Sequence, residues 1–178
     1  KLDGDYPVGS ANVALGGGTL NASLTGQQNT AVGSASLSAL TSGNDNTAVG
    51  RVTLTNNTTG GQNTAVGRYA LSANTTGSSN TGLGTQALNS NTTASNNTAV
   101  GYQAGYFTTT ANRLTAIGQH AGFGQATGAE NTYVGYASGP NTVTNASGQF
   151  NTGLGAFSLY SNTTASNNTA VGFQSLYA

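Results

Sequence analysis

Outside tyrosine, the titratable side chains of this 178-residue chain are four carboxylates (Asp3, Asp5, Asp45, Glu130), four cations (Lys1, Arg51, Arg68, Arg113) and one imidazole (His120); cysteine is absent. General acid–base chemistry needs two such groups converging on one substrate, and a metal centre needs three or four ligands at close spacing. Nothing here has that spacing. Asp3-Gly4-Asp5 offers two carboxylates, too few for a calcium shell. No catalysis, cofactor or metal is therefore expected. Formal net charge is zero, so the electrostatic footprint of a nucleic-acid binder is missing too. No run of 18 apolar residues is present to cross a membrane as a helix.

What positions these few groups is a repeat. Asn-Thr-Ala-Val-Gly, or a close variant, begins at Asn12, Asn29, Asn46, Asn63, Asn80, Asn97, Leu114, Asn131, Asn151 and Asn168. Eight of the nine intervals are 17 residues; the ninth, Asn131 to Asn151, is 20. A fixed short period lets each unit bury its apolar side only against its neighbours, which makes a stack and not a closed globule. Seventeen residues are too few for a helical-hairpin repeat of about 33 residues, and suit one coil of a β-solenoid. The expected fold is all-β, a parallel β-solenoid of about ten coils over residues 12–178, with a lead-in segment over 1–11. Strict register over ten units argues against the disorder that so much Asn, Thr, Ser and Gly would otherwise suggest.

Numbered from the first Asn, the fourth position is always apolar: Leu15, Val32, Val49, Val66, Leu83, Val100, Ile117, Val134, Leu154, Val171. Apolar β-branched residues favour a core, so this column is expected to face inward. Strand side chains alternate, so the second position, Val13 and then nine threonines from Thr30 to Thr169, would share that interior. A second apolar column stands at the ninth position (Leu20, Leu37, Leu54, Leu71, Leu88, Leu159, Leu176), interrupted by Gly105, Gly122 and Gly139. Tyr106 and Phe123, next to two of those glycines, are candidates to fill the vacated space. Glycine at the fifth position of every unit marks a corner or a close approach. Asn-Thr-Thr-Gly stretches such as Asn57–Gly60 supply a second corner, giving two short strands per coil.

On that reading the third position faces out. It is small in every copy except Tyr133, and a small-residue stripe lets another backbone approach. Ala31, Ala48, Ala65, Gly82, Ala99 and Ala116 are thus expected to form an interchain seam, flanked by first-position asparagines that bond one another along the axis. So thin a coil encloses little apolar area, which also favours a homo-oligomer.

Units such as Asn97-Thr-Ala-Val-Gly-Tyr-Gln-Ala and Asn168-Thr-Ala-Val-Gly-Phe-Gln-Ser-Leu resemble the head repeats of YadA-type trimeric autotransporter adhesins. They resemble still more the Asn-Thr-Ala-Val-Gly-Tyr-Gln-Ala-Leu arrays of phage tail fibres and bacterial surface proteins. The resemblance covers residues 12–178. It implies a trimer of left-handed β-rolls, located outside the cell, at its surface or on a virion, and serving as a head or shaft for attachment. The adhesin heads differ in having shorter coils, with an apolar residue where this chain has Thr.

Arg113 and Glu130 share the seventeenth position of consecutive coils and should form a surface ion pair. Arg51 and Arg68 share the sixth, either as a solvated edge or as an anchor for an acidic glycan or phosphate. His120 stands where other units carry Gln86, Gln103 and Gln174, as a solvent-facing substitute. Asn57, Asn74, Asn91 and Asn162 lie in Asn-x-Thr triplets, which turn chemistry explains without glycosylation. The absence of an initiating Met and an end in mid-unit point to a piece of a longer protein. Eleven of the 13 aromatics follow residue 100, and the three-residue insertion shares a unit with Tyr133. An inserted loop projects from a solenoid, so Tyr133, Tyr136, Pro140, Asn141 and Phe150 are the candidate contacts for a glycan or protein receptor. Two other functions fit the repeat: a self-assembling extracellular filament grown from open coil ends, and an ice-binding solenoid, which needs the threonine ladder on an exposed face.

Overall fold

The computed structural model describes residues 11–20, 24–141 and 145–177. The Asp3-Gly4-Asp5 pair and most of the lead-in segment lie outside them. Among the described residues, ten three-residue strands, one per repeat, make up the regular structure: β1 Val13–Leu15, β2 Thr30–Val32, β3 Thr47–Val49, β4 Thr64–Val66, β5 Thr81–Leu83, β6 Thr98–Val100, β7 Thr115–Ile117, β8 Thr132–Val134, β9 Thr152–Leu154 and β10 Thr169–Val171. They form one parallel sheet in chain order. Register is position for position, as in Thr47↔Thr64, Ala48↔Ala65 and Val49↔Val66, and it is kept across the 20-residue interval by Thr132↔Thr152. The chain is a parallel β-solenoid.

One strand forms per coil, where two were expected. The rest of the coil is turn, yet it is still bonded to its neighbours. Leu54 N–H donates to Ala70 O (3.1 Å), Thr58 N–H to Thr75 O (2.9 Å) and Gln62 N–H to Asn44 O (2.9 Å). Turns that stack in this way satisfy their backbone groups without a second ladder.

The faces of the sheet are the reverse of those expected. Ala31, Ala48, Ala65, Ala99 and Ala116 are fully buried, and Gly82 is buried with them. These six residues line the inside of the coil and make no interchain seam. The threonines and the Val/Leu/Ile column on either side of them are half-buried or exposed. Volume is the reason. The ninth-position leucines point inward as expected, with Leu37, Leu54, Leu71 and Leu88 fully buried. A Cβ added at Gly82 would already lie 3.4 Å from the Leu71 side chain. Between that wall and the strand a methyl fits and an isopropyl does not.

Because they share the inward face with the third position, the first-position asparagines are buried as well. From Asn29 to Asn80 they stack on one another: Asn46 Nδ2 donates to Asn29 Oδ1 (3.0 Å), Asn63 Nδ2 to Asn46 Oδ1 (3.1 Å) and Asn80 Nδ2 to Asn63 Oδ1 (3.1 Å). The same amide reaches across the coil, from Asn63 Nδ2 to Gly77 O (2.9 Å), and the same oxygen accepts the next backbone, from Asn80 N–H (3.0 Å). A second buried ladder runs through Asn57, Asn74 and Asn91, with links of 2.9 and 2.7 Å. These three side chains are interior in the folded coil. Truncating Asn63→Ala should orphan Asn80 N–H and take one of two partners from Gly77 O, Asn46 Oδ1 and Asn80 Nδ2, which keep Asn74 Nδ2, Asn63 N–H and Ala94 O. The expected loss is about 1–3 kcal/mol, the cost of one buried unsatisfied group, read from the midpoint of denaturant unfolding.

Candidate functional site

The residues expected to meet a receptor do not form one patch. Tyr133 is fully buried, its hydroxyl donating to Gln125 Oε1 at 3.2 Å. Burial lifts its phenol well above the ordinary tyrosine range. Its ring takes up the space left by glycines on the opposite wall: a Cβ at Gly139 would stand 2.5 Å from the ring, and one at Gly122 3.1 Å. Leu114, which replaces Asn at the first position, does the same for Gly105, 3.3 Å from a Cβ built there. The vacated core is thus filled from the strand side by Leu114 and Tyr133. Tyr106 and Phe123, expected to swing in, stay partly exposed and stack on each other at 5.5 Å.

Pro140 is also buried, its carbonyl accepting from Gly124 N–H at 2.8 Å. Backbone register holds through Asn141, whose N–H donates to Tyr160 O, and resumes at Ala146, bonded to Gly124 O. The projection expected of the insertion falls on residues 142–144, outside the described residues. Phe150 is exposed just before β9, whereas Tyr136 is exposed just after β8, so the two sit at opposite ends of the sheet's strands. Only Tyr136 and Asn141 share a neighbourhood. Asn141 Nδ2 bonds His120 O (2.7 Å), and the His120 ring centroid is 6.4 Å from that of Tyr136.

The charged positions behave as their stacking implied. Arg113 and Glu130 form an exposed ion pair on consecutive coils, worth little in water. Arg51 and Arg68 are drawn together by Tyr69. Arg51 Nη1 donates to its hydroxyl (3.2 Å), and the Arg68 guanidinium lies 4.7 Å from its ring centroid. Arg68, and then Arg51, lower the Tyr69 phenol below its ordinary value. His120 extends an amide ladder: Gln103 Nε2 donates to Gln86 Oε1, and His120 Nε2 meets Gln103 Oε1, both at 2.9 Å. Among the described residues no three of His, Asp and Glu gather as metal ligands.

Two surfaces remain that could meet a partner. One is the outward face of the sheet, Thr-x-Val in ten registered rows, which includes exposed Leu15, Leu83, Ile117, Leu154 and Val171. The other is a chain of rings at the corner just after the strands, Tyr102–His120–Tyr136–Phe157–Phe173, with successive centroids 5.5, 6.4, 5.1 and 6.1 Å apart. The clustering of aromatics after residue 100 signalled the second surface; the first was hidden by the mistaken inward assignment of Val. Fold and surfaces together define a β-solenoid repeat protein. No family model, characterised protein or solved structure matches the chain.

Two measurements test these placements. Tyr133→Ala should cost about 3–5 kcal/mol, as expected for a large aromatic removed from a packed core; a loss as small as that of a surface substitution would put the ring outside. In a phenolate absorbance titration Tyr69→Phe should remove a first step below the ordinary tyrosine range, and Tyr133→Phe amplitude from above it. A first step that survives Tyr69→Phe would contradict the arginine clamp.

Proposed function

We propose that this protein is a non-catalytic extracellular rod, a structural and attachment element of the kind built by trimeric adhesin heads and tail-fibre shafts, and that its copies pack through the outward Thr-x-Val face. The observation that carries this is the unbroken apolar column on that face. At one strand spacing per coil it is a stripe about 48 Å long and about 10 Å wide. Roughly 500 Å² of flat surface with a continuous apolar column is in the range of the largest patch on a soluble monomer, a size that often marks an interaction site. A homotrimer buries it with a seam of Thr, Val, Leu and Ile in place of the Ala/Gly seam expected from the sequence.

Light scattering at two protein concentrations is the test. The expected result is a concentration-independent trimer of the 17.5-kDa chain. Val66→Lys with Leu83→Lys should reduce it to a folded monomer, because like charges then meet across a desolvated seam. Mass that grows with concentration would favour the end-to-end filament, and a wild-type monomer would defeat both.

A second reading draws on the same face. Nine registered threonines point outward, which removes the objection that an ice-binding ladder would be internal. Thermal hysteresis from a monomeric wild type, lost in Thr64→Lys with Thr81→Lys, would favour ice binding over attachment.

A further inference from the structure

The corner rings recur at fixed positions of the repeat. Tyr102, Tyr136 and Phe173 all occupy the sixth position, in the sixth, eighth and tenth coils, and are 46%, 46% and 69% exposed. Backbone register fixes them on one line: His120 N–H bonds Tyr102 O (3.0 Å), Ala137 N–H bonds Gln119 O (2.9 Å), Phe157 N–H bonds Tyr136 O (2.9 Å) and Gln174 N–H bonds Ala156 O (3.0 Å). Exposed rings therefore recur every second coil, about 9.4–9.8 Å apart. The intervening coils supply His120 and Phe157 at the seventh position. Both are half-buried, and they meet the exposed rings at interplanar angles of 55°, 45°, 82° and 81°. Tilted and edge-on contacts of this kind fix ring orientation before any ligand arrives. Uncharged amides line the row: Gln103, Gln119 and Gln174, with Asn141 bonded to the His120 carbonyl. Arg113 and Glu130 pair with each other at the seventeenth position, before the strands, and the cations of the sixth-position line, Arg68 and Arg51, lie two and three coils below Tyr102, beyond the end of the row.

We propose that this ring row is the binding site for an uncharged, extended polysaccharide of the β-1,4-linked hexopyranose class, lying along the rod axis. Alternate sugars of such a chain turn the same apolar face to one side, with a two-residue repeat close to the two-coil spacing of the rings. Each exposed ring then stacks on every second sugar, while the Gln and Asn amides meet hydroxyls. A one-dimensional, periodic, neutral platform fits a linear polymer better than a globular protein epitope, which would need breadth. The proposal rests on the attachment reading and names what is attached to.

Isothermal titration calorimetry of the intact chain with cellohexaose, mannohexaose and chitohexaose tests it, with maltohexaose as the coiled α-linked control. At least one β-linked hexaose should bind, at least tenfold more tightly than its own disaccharide, because only the longer chain spans several rings. Tyr136→Ala removes the middle ring and should weaken the hexaose at least tenfold; Tyr102→Phe should keep most of the affinity. Unfolding midpoints of both variants should stay near wild type. No binding to any β-linked hexaose, equal binding of maltohexaose, or an unaffected folded Tyr136→Ala would each overturn the proposal. So would a loss of oligomer mass in Tyr136→Ala, which would make a second copy the occupant of the row. The oligomeric state of the wild type is read separately: a trimer that ignores glycans defeats this inference alone, and a monomer that binds them defeats the trimer alone.

Discussion

Backbone bonding from coil to coil holds every position of the repeat over its own copy, and the rest of the structure depends on that. Since turns as well as strands bond to the coil above and below, the perimeter is fixed at one repeat and the bore is fixed with it. Fifth-position glycines show how close the stacking is: a Cβ on Gly67 would sit 2.5 Å from Gly84 O, with φ at +131°. Leucines fill one side of so narrow a bore and leave the strand side only a methyl's depth. Burying Val is ordinarily worth more than burying Ala, but close packing admits no side chain larger than the space. Volume therefore decides which face is in, and the more hydrophobic column is left outside.

The same narrow coil imposes strain and contains its compensation. In a typical unit the seventh, ninth and seventeenth residues are left-handed, as with Ala35 (φ 56°), Leu37 (φ 50°) and Asp45 (φ 58°). Such conformations cost non-glycine residues about 1–2 kcal/mol each. Buried amide ladders tie the corners together against that cost. From Asn46 to Asn80 an asparagine satisfies a neighbour's amide, a backbone N–H and a carbonyl across the coil, as Asn63 does, so an interior with little apolar volume is held largely by partnered polar groups.

Much of the fold was legible in the sequence. The 17-residue period gave the solenoid, its strand order and its register; the inward leucines, the close approach at fifth-position glycines and the Arg113–Glu130 pair follow from stacking alone. Sheet parity was not read correctly, because apolar character was weighed without the size of the bore. A corrective signal was present: where the third position becomes Tyr133 and the first becomes Leu114, the ninth becomes Gly139, Gly122 and Gly105. Exchange of volume between two columns means that they face each other. The same parity turns the candidate Tyr133 inward, and coil stacking holds Pro140 in the wall. Tyr136 remained, and the ring row around it emerged only once register placed sixth and seventh positions side by side.

Sheet parity carries both the outward seam and the ring row's place beside it. It is tested most directly by comparing the thermal unfolding of Ala65→Asp and Val66→Asp, neighbours on one strand with opposite orientations. The account predicts that Ala65→Asp, which forces a carboxylate into the bore, abolishes cooperative unfolding, while Val66→Asp keeps the fold and alters only association. A stable Ala65→Asp beside an unfolded Val66→Asp would contradict it and restore the opposite face to the interior.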